Sequence, residues 1–98
     1  MMRYIVFFIT LFLTFINTAT CSEDVLPNKV AMCVSCHGAL GKSNNAIWPN
    51  IAGQKQVYME QQLKDFRDGA RYNPWMSPMA VTLSDEDIRE LSIFFSKQ

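Results

Sequence analysis

The most informative stretch of this sequence is AMCVSCHGALG, residues 31–41. It places Cys33 and Cys36 one helical turn apart, with His37 directly after the second cysteine. A C-x-x-C pair can be a redox-active dithiol or half of a zinc site, and with a following histidine it can be an attachment point for a c-type haem. The rest of the chain decides between these three chemistries.

The first 21 residues are predicted to be a secretory signal peptide. Arg3 supplies a positive start, an apolar run covers residues 4–16, and Ala19 and Cys21 are small residues placed for cleavage. The run is shorter than the roughly 20 residues that a membrane-spanning helix needs. Cleavage leaves residues 22–98 as one domain, which we expect in the periplasm. The alternative is a lipoprotein anchored through an acylated Cys21.

The exported domain is small and nearly neutral. Once Arg3 is removed, eight basic residues remain against nine acidic ones, so charge gives no argument for nucleic-acid binding. A domain of this size rarely forms a sufficient apolar core without disulfides, a metal or a large cofactor. Because only Cys33 and Cys36 are sure to remain after processing, a disulfide framework is excluded. We therefore expect another group to complete the core.

The apolar periodicity predicts three helices and no strand, so the expected fold class is all-α. The first helix runs from about residue 27 through 36, and the second covers about residues 55–68 and ends at Gly69. The third begins at Ser84, whose side chain is predicted to form a capping box with Asp87.

The segments between these helices are long, and we expect them to be irregular. Residues 38–53 and 71–82 both contain proline and tryptophan. Apolar loops of this length should pack against something large, and three short helices offer little surface for them. A bulky buried cofactor would provide that surface.

The haem interpretation accounts for most of these features. A redox dithiol of the thioredoxin type follows a strand, and none is predicted here. Structural zinc needs four ligands, whereas Cys33, Cys36 and His37 offer three and the chain has no other histidine. We therefore predict one haem c, bound covalently through Cys33 and Cys36, with His37 as an axial iron ligand. No catalytic set of residues is evident, so we do not expect an enzyme.

The second axial ligand is predicted to be a methionine, because His37 is the only histidine. Met32 adjoins an attachment cysteine and cannot reach the opposite haem face, and Met59 belongs to the apolar stripe of a helix. Met76 and Met79 lie in the proline-containing segment before the last helix. On residue type and position alone, both remain candidates.

The chain resembles the class I c-type cytochromes, particularly the short bacterial periplasmic kind, over nearly all of residues 22–98. The resemblance rests on CVSCHG at 33–38, WPNIAGQ at 48–54, and MSPMA at 76–80 followed by LSDEDI at 83–88. It implies a small cytochrome c fold, with three main helices and long loops wrapped around one covalently bound haem.

The resemblance also implies roles for individual residues. Pro49, twelve residues after His37, would accept a hydrogen bond from that histidine through its carbonyl oxygen. Met76 would be the sixth ligand in preference to Met79, because it lies seven residues before Leu83.

Three further side chains are candidate donors to the haem propionates: Arg71, Trp48 and Trp75. There is a simpler alternative for each. Arg71 could be a solvated surface charge, and the two tryptophans could pack against the haem edge.

The expected function is periplasmic one-electron transfer between redox proteins, such as a membrane cytochrome complex, an oxidase or a dehydrogenase, with no small-molecule substrate. Two alternatives remain. The chain could be the haem subunit of a larger dehydrogenase or oxidase complex, or a ligand-binding haem protein with an open sixth site.

The chain departs from the family pattern in its first helix. Pro27 shortens that helix, and Lys29 stands one turn before Cys33. We expect Val30 and Val34 to make the contact with the last helix, and we expect that contact to be weak.

Overall fold

A computed structural model describes residues 25–98 of the chain. Its helices are α1 (Val25–His37), α2 (Gln56–Asp68), α3 (Met76–Ala80) and α4 (Asp85–Ser96), and a 3-10 turn at Ala39–Gly41 follows α1. No strand occurs in the described part, which confirms the all-α prediction. Across residues 25–98, no helix combines the length and hydropathy that crossing a membrane requires. The predicted signal peptide (residues 1–21) and the acylation of Cys21 lie outside the described residues.

The ends of α2 and α4 follow the local signals in the sequence. Gly69 ends α2 in the left-handed conformation, with φ of 89°, and its N–H donates to the carbonyl oxygen of Asp65. At the start of α4, Ser84 Oγ accepts from the Asp87 N–H at 3.1 Å, and Asp87 Oδ2 accepts from the Ser84 N–H at 2.8 Å. The predicted capping box is therefore present.

The segment before α4 is more regular than the sequence reasoning predicted. Met76 and Met79 were expected in an irregular loop, but they lie on the five-residue helix α3. The cause is Asn73, whose Oδ1 accepts from the N–H groups of Trp75 and Met76 at 2.9 Å each. The Asn73–Pro74 pair is a helix-start signal, because asparagine caps exposed N–H groups and proline suits the first turn.

The core lies where α2 and α4 pack together, next to the segment that joins α3 to α4. Its buried apolar members are Met59, Leu83, Ile88, Leu91 and Phe95. Side chains of α1 pack against this cluster from the other side, and they include the predicted Val30 and Val34. The last turn of α1, which carries the C-x-x-C-H motif, is thereby held beside α4.

Lys29 takes part in the α1–α4 contact. Its ammonium group pairs with the carboxylate of Asp87, and the two side chains are 25% and 16% exposed. The same carboxylate caps α4, so it joins the start of that helix to α1. The charge that we expected to weaken the interface is thus accommodated by an ion pair across it.

Candidate functional site

The last turn of α1 carries the motif into a cavity of about 620 Å³. Cys33, Cys36 and His37 all line it. The two cysteines are free thiols three residues apart, which places them on neighbouring positions of one helix face. Cys33 is half-buried and Cys36 is exposed, while the imidazole-bearing residue His37 is only 8% exposed.

The imidazole of His37 is fixed by one hydrogen bond. Its Nδ1 lies 2.7 Å from the carbonyl oxygen of Pro49, the partner that the family resemblance implies. A carbonyl can only accept, so Nδ1 carries the proton and donates. The proton-free nitrogen is then Nε2, which leaves its lone pair available to a metal.

Pro49 is positioned by a loop that is tied down at two points. The carbonyl oxygen of Gly41 accepts from the N–H groups of Ile51 and Ala52 at 2.9 and 3.0 Å. Two residues further on, the N–H of Gly53 donates to the carbonyl oxygen of Phe95 at 2.8 Å. The loop is therefore joined both to the turn after α1 and to the end of α4.

Both candidate methionine ligands also line the cavity. Met76 and Met79 lie on α3 at i and i+3, so they share a face of the helix, and both are half-buried. Met59 and Met32 line the same cavity, but Met59 belongs to the buried core cluster, as predicted, and Met32 packs against it. The fold thus brings thioether groups from three helices to one cavity.

Polar side chains line part of the cavity, and one of them is an arginine. Among residues 25–98, Arg71 is the only lysine, arginine or acidic residue that lines it. Its guanidinium donates to Gln62 Oε1 at 2.6 Å and lies 4.5 Å from the centre of the Phe66 ring. These contacts hold a positive charge beside the cavity. Sequence reasoning identified the arginine but gave no role to Gln62, which lies beside the apolar stripe of α2.

The two tryptophans form a pair at the cavity. The rings of Trp48 and Trp75 meet edge to face, with centroids 5.5 Å apart and planes at 89°. Both residues line the cavity, and Trp75 is 63% exposed. This geometry is a favourable aromatic contact that joins the Pro49 loop to the segment before α3.

The thiol chemistry argues against the dithiol and zinc alternatives. Burial raises the pKa of the Cys33 thiol to about 11, so it is protonated at neutral pH. A redox-active dithiol relies on a thiolate at neutral pH, which a lowered pKa provides. Among the residues that the structure describes, no cluster of three or more His, Cys, Asp or Glu side chains is arranged to hold a metal ion.

Sequence reasoning also missed Ser92. Ser92 follows Leu91 on α4 and lies one turn after Ile88, so the helical period places it on the buried face. Because serine is polar, no role was predicted for it. The residue is fully buried and lines the cavity.

The arrangement suits a porphyrin rather than a lone ion. Two thiols on one helix face, an oriented imidazole, and thioethers on a separate helix surround a largely apolar space of cofactor size. These features define a c-type haem protein.

Comparison with known proteins gives the family. A family model described as cytochrome c matches residues 28–97. Cytochrome c-554(548) of Halomonas halodenitrificans is 42% identical over 83 residues, which cover 82% of this chain and 95% of that protein. Cytochrome c4 of Thiocapsa roseopersicina is 40% identical over 67 residues, covering 68% of this chain and 34% of that protein. The thiosulfate dehydrogenase electron acceptor of Thiomonas intermedia is 41% identical over 80 residues, covering 81% and 37%.

The chain belongs to the cytochrome c family. It spans just over a third of the length of the last two relatives. The predicted family, the small all-α cytochrome c fold and the covalent haem c cofactor are confirmed, and the protein is a haem-containing electron-transport protein.

Proposed function

We propose that this protein is a periplasmic one-electron carrier with His/Met axial ligation of its haem c. The observation that carries the proposal is the convergence of Cys33, Cys36, His37 and Met76 on one cavity. In this proposal each cysteine thiol would add across one vinyl group. The S–H bond and the π bond of the vinyl C=C would break, S–C and C–H bonds would form, and there would be no net oxidation or reduction.

The iron ligands are assigned from geometry and sequence position. His37 would bind through Nε2, because its Nδ1 proton is held by the carbonyl of Pro49. That hydrogen bond raises the basicity of the ligand and fixes the ring orientation. Met76 would bind on the other side; the seven-residue spacing to Leu83 favours it over Met79.

When bound, the haem supplies one-electron oxidation and reduction at iron. The chain would hold both ligands in place and surround the haem mainly with apolar side chains. A methionine–histidine pair and an apolar site both raise the reduction potential. With no exchangeable ligand and no catalytic residue assigned, the role is that of a carrier rather than an enzyme.

The partners would be other redox proteins, such as a membrane cytochrome complex, an oxidase or a dehydrogenase. One relative is named an electron acceptor of thiosulfate dehydrogenase, which supports a redox enzyme as donor. The same observation favours a second candidate, in which the chain is the haem subunit of a larger complex. Purification of the protein from its native host at natural abundance distinguishes the two, since a subunit elutes with its partner.

Replacement of each candidate methionine tests the ligand assignment. Met76→Ala should abolish the methionine–iron charge-transfer band of the ferric protein and let cyanide or carbon monoxide bind. Met79→Ala is the matched control, because it removes a thioether from the same helix face and should leave the band unchanged. If only Met79→Ala removes the band, Met79 is the ligand. If neither does, the carrier proposal gives way to an open or differently ligated site.

A further inference from the structure

Ser92 stands apart from the other polar residues of the protein. Its side chain is fully buried in α4. Within residues 25–98, its Oγ is the one buried side-chain nitrogen or oxygen atom that has no hydrogen-bond partner. Ser92 also lines the cavity that holds the haem-binding motif.

A buried hydroxyl without a partner is unusual, because it loses its hydrogen bonds to water and gains none in return. A serine inside a helix normally solves this by donating to a carbonyl of the preceding turn. Ser96, on the same helix, does so: its Oγ donates to the carbonyl oxygen of Ile93 at 2.8 Å. Ser92 makes no such bond, so its hydroxyl dipole is not committed to any group of the described protein.

We propose that the Ser92 hydroxyl is a dipole of the haem environment that stabilises the ferric state and lowers the reduction potential. Leaving the propionates aside, the iron–porphyrin unit carries one positive charge when ferric and none when ferrous. A hydroxyl hydrogen rotates freely, so the oxygen can present its lone pairs to the positive state. The effective dielectric inside a protein is low, so a single dipole near the haem has a large effect.

This inference rests on the family's haem and on the cavity. It does not depend on which methionine binds iron. Arg71 also lines the cavity, but its situation differs from that of Ser92. The arginine is exposed to solvent, and its guanidinium donates to Gln62. The serine has neither solvent nor a protein partner to compensate it.

The test is a potentiometric titration of the holoprotein and of Ser92→Ala. Loss of a dipole interaction as strong as one neutral hydrogen bond should shift the ferric–ferrous equilibrium about threefold to tenfold toward ferrous. That change corresponds to a rise of about 30–60 mV, at 59 mV per tenfold for one electron. Ser92→Cys gives a side chain of similar size with a weaker dipole, so it should give a smaller rise in the potential.

Ser96→Ala is the matched control, because it removes the same atom from the same helix at a residue that does not line the cavity. Its potential should equal that of the unmodified protein. The proposal is overturned if Ser92→Ala leaves the potential unchanged or lowers it, if Ser96→Ala shifts it equally, or if Ser92→Ala alters the axial-ligand bands. Failure of the His/Met assignment would appear differently, as a missing methionine–iron band in the unmodified protein.

Discussion

Replacing Gly41 by alanine should destabilise the protein because this residue joins the haem motif to the loop that carries Pro49. Gly41 is buried with φ of 80°, a conformation that costs a residue with a side chain about 1–2 kcal/mol. A β-carbon there would lie 2.9 Å from side-chain atoms of Ile51 and Phe95, and 3.0 Å from the backbone nitrogen of Ala52. Overpacking of this kind adds about 1–3 kcal/mol. The expected loss is therefore about 2–5 kcal/mol.

Equilibrium unfolding of the holoprotein in guanidinium chloride measures this loss. Gly69→Ala is the control, since Gly69 has a similar φ of 89° but a β-carbon there would meet no atom within 4 Å. It should lose only the conformational part, about 1–2 kcal/mol. The difference between the two variants isolates the steric contacts at Gly41. Equal losses would refute the reasoning, because they would mean that the turn and the loop move apart freely.

Three further changes have defined outcomes. A hydrogen bond from Lys29 holds the pKa of the Asp87 carboxyl below its ordinary value of 3.8. The ion pair therefore stabilises the folded protein fully above pH 3.8, and this stabilisation is lost as the pH falls through the lower pKa of the folded state. Lys29→Met should therefore flatten the acid limb of a stability–pH curve, and an unchanged limb would contradict this. Arg71→Gln should lower the reduction potential in a potentiometric titration, because loss of a nearby positive charge disfavours the ferrous state; an unchanged potential would place Arg71 outside the haem's field. Cys33→Ala and Cys36→Ala should each lose one thioether bond, and the double variant should show no haem stain on a denaturing gel.

Local signals in the sequence were sufficient for the helices whose ends are marked. The boundaries of α2 and α4 followed from Gly69 and from the Ser84–Asp87 pair, because caps depend on residues within one turn of each other. The C-x-x-C-H motif likewise identified the cofactor from five consecutive residues. The short helix α3 was missed although Asn73–Pro74 is a helix-start signal, since the prolines of this segment were interpreted as loop residues.

Features that depend on distant residues were harder to predict. The sequence shows Lys29 as a charge on the side of α1 that faces α4, but it does not show that Asp87 would lie opposite. The helical period places Ser92 on the buried face of α4, whereas its polar side chain is typical of an exposed position. The packed structure shows that the residue is buried. In both cases the tertiary environment decides, and a pattern confined to one helix carries no information about that environment.

The way in which the site is supported favours electron transfer over ligand binding. His37 lies at the end of a packed helix and is held by a loop that is bonded to the turn after α1 and to α4. Met76, the proposed second ligand, lies on a helix whose first N–H groups are capped by Asn73. A ligand-binding haem protein needs one side of its iron to open, whereas a carrier works best when nothing moves as the charge changes. The two elements that carry the proposed ligands are held by separate hydrogen bonds, which suits the second condition, and this is a physical reason for preferring the carrier.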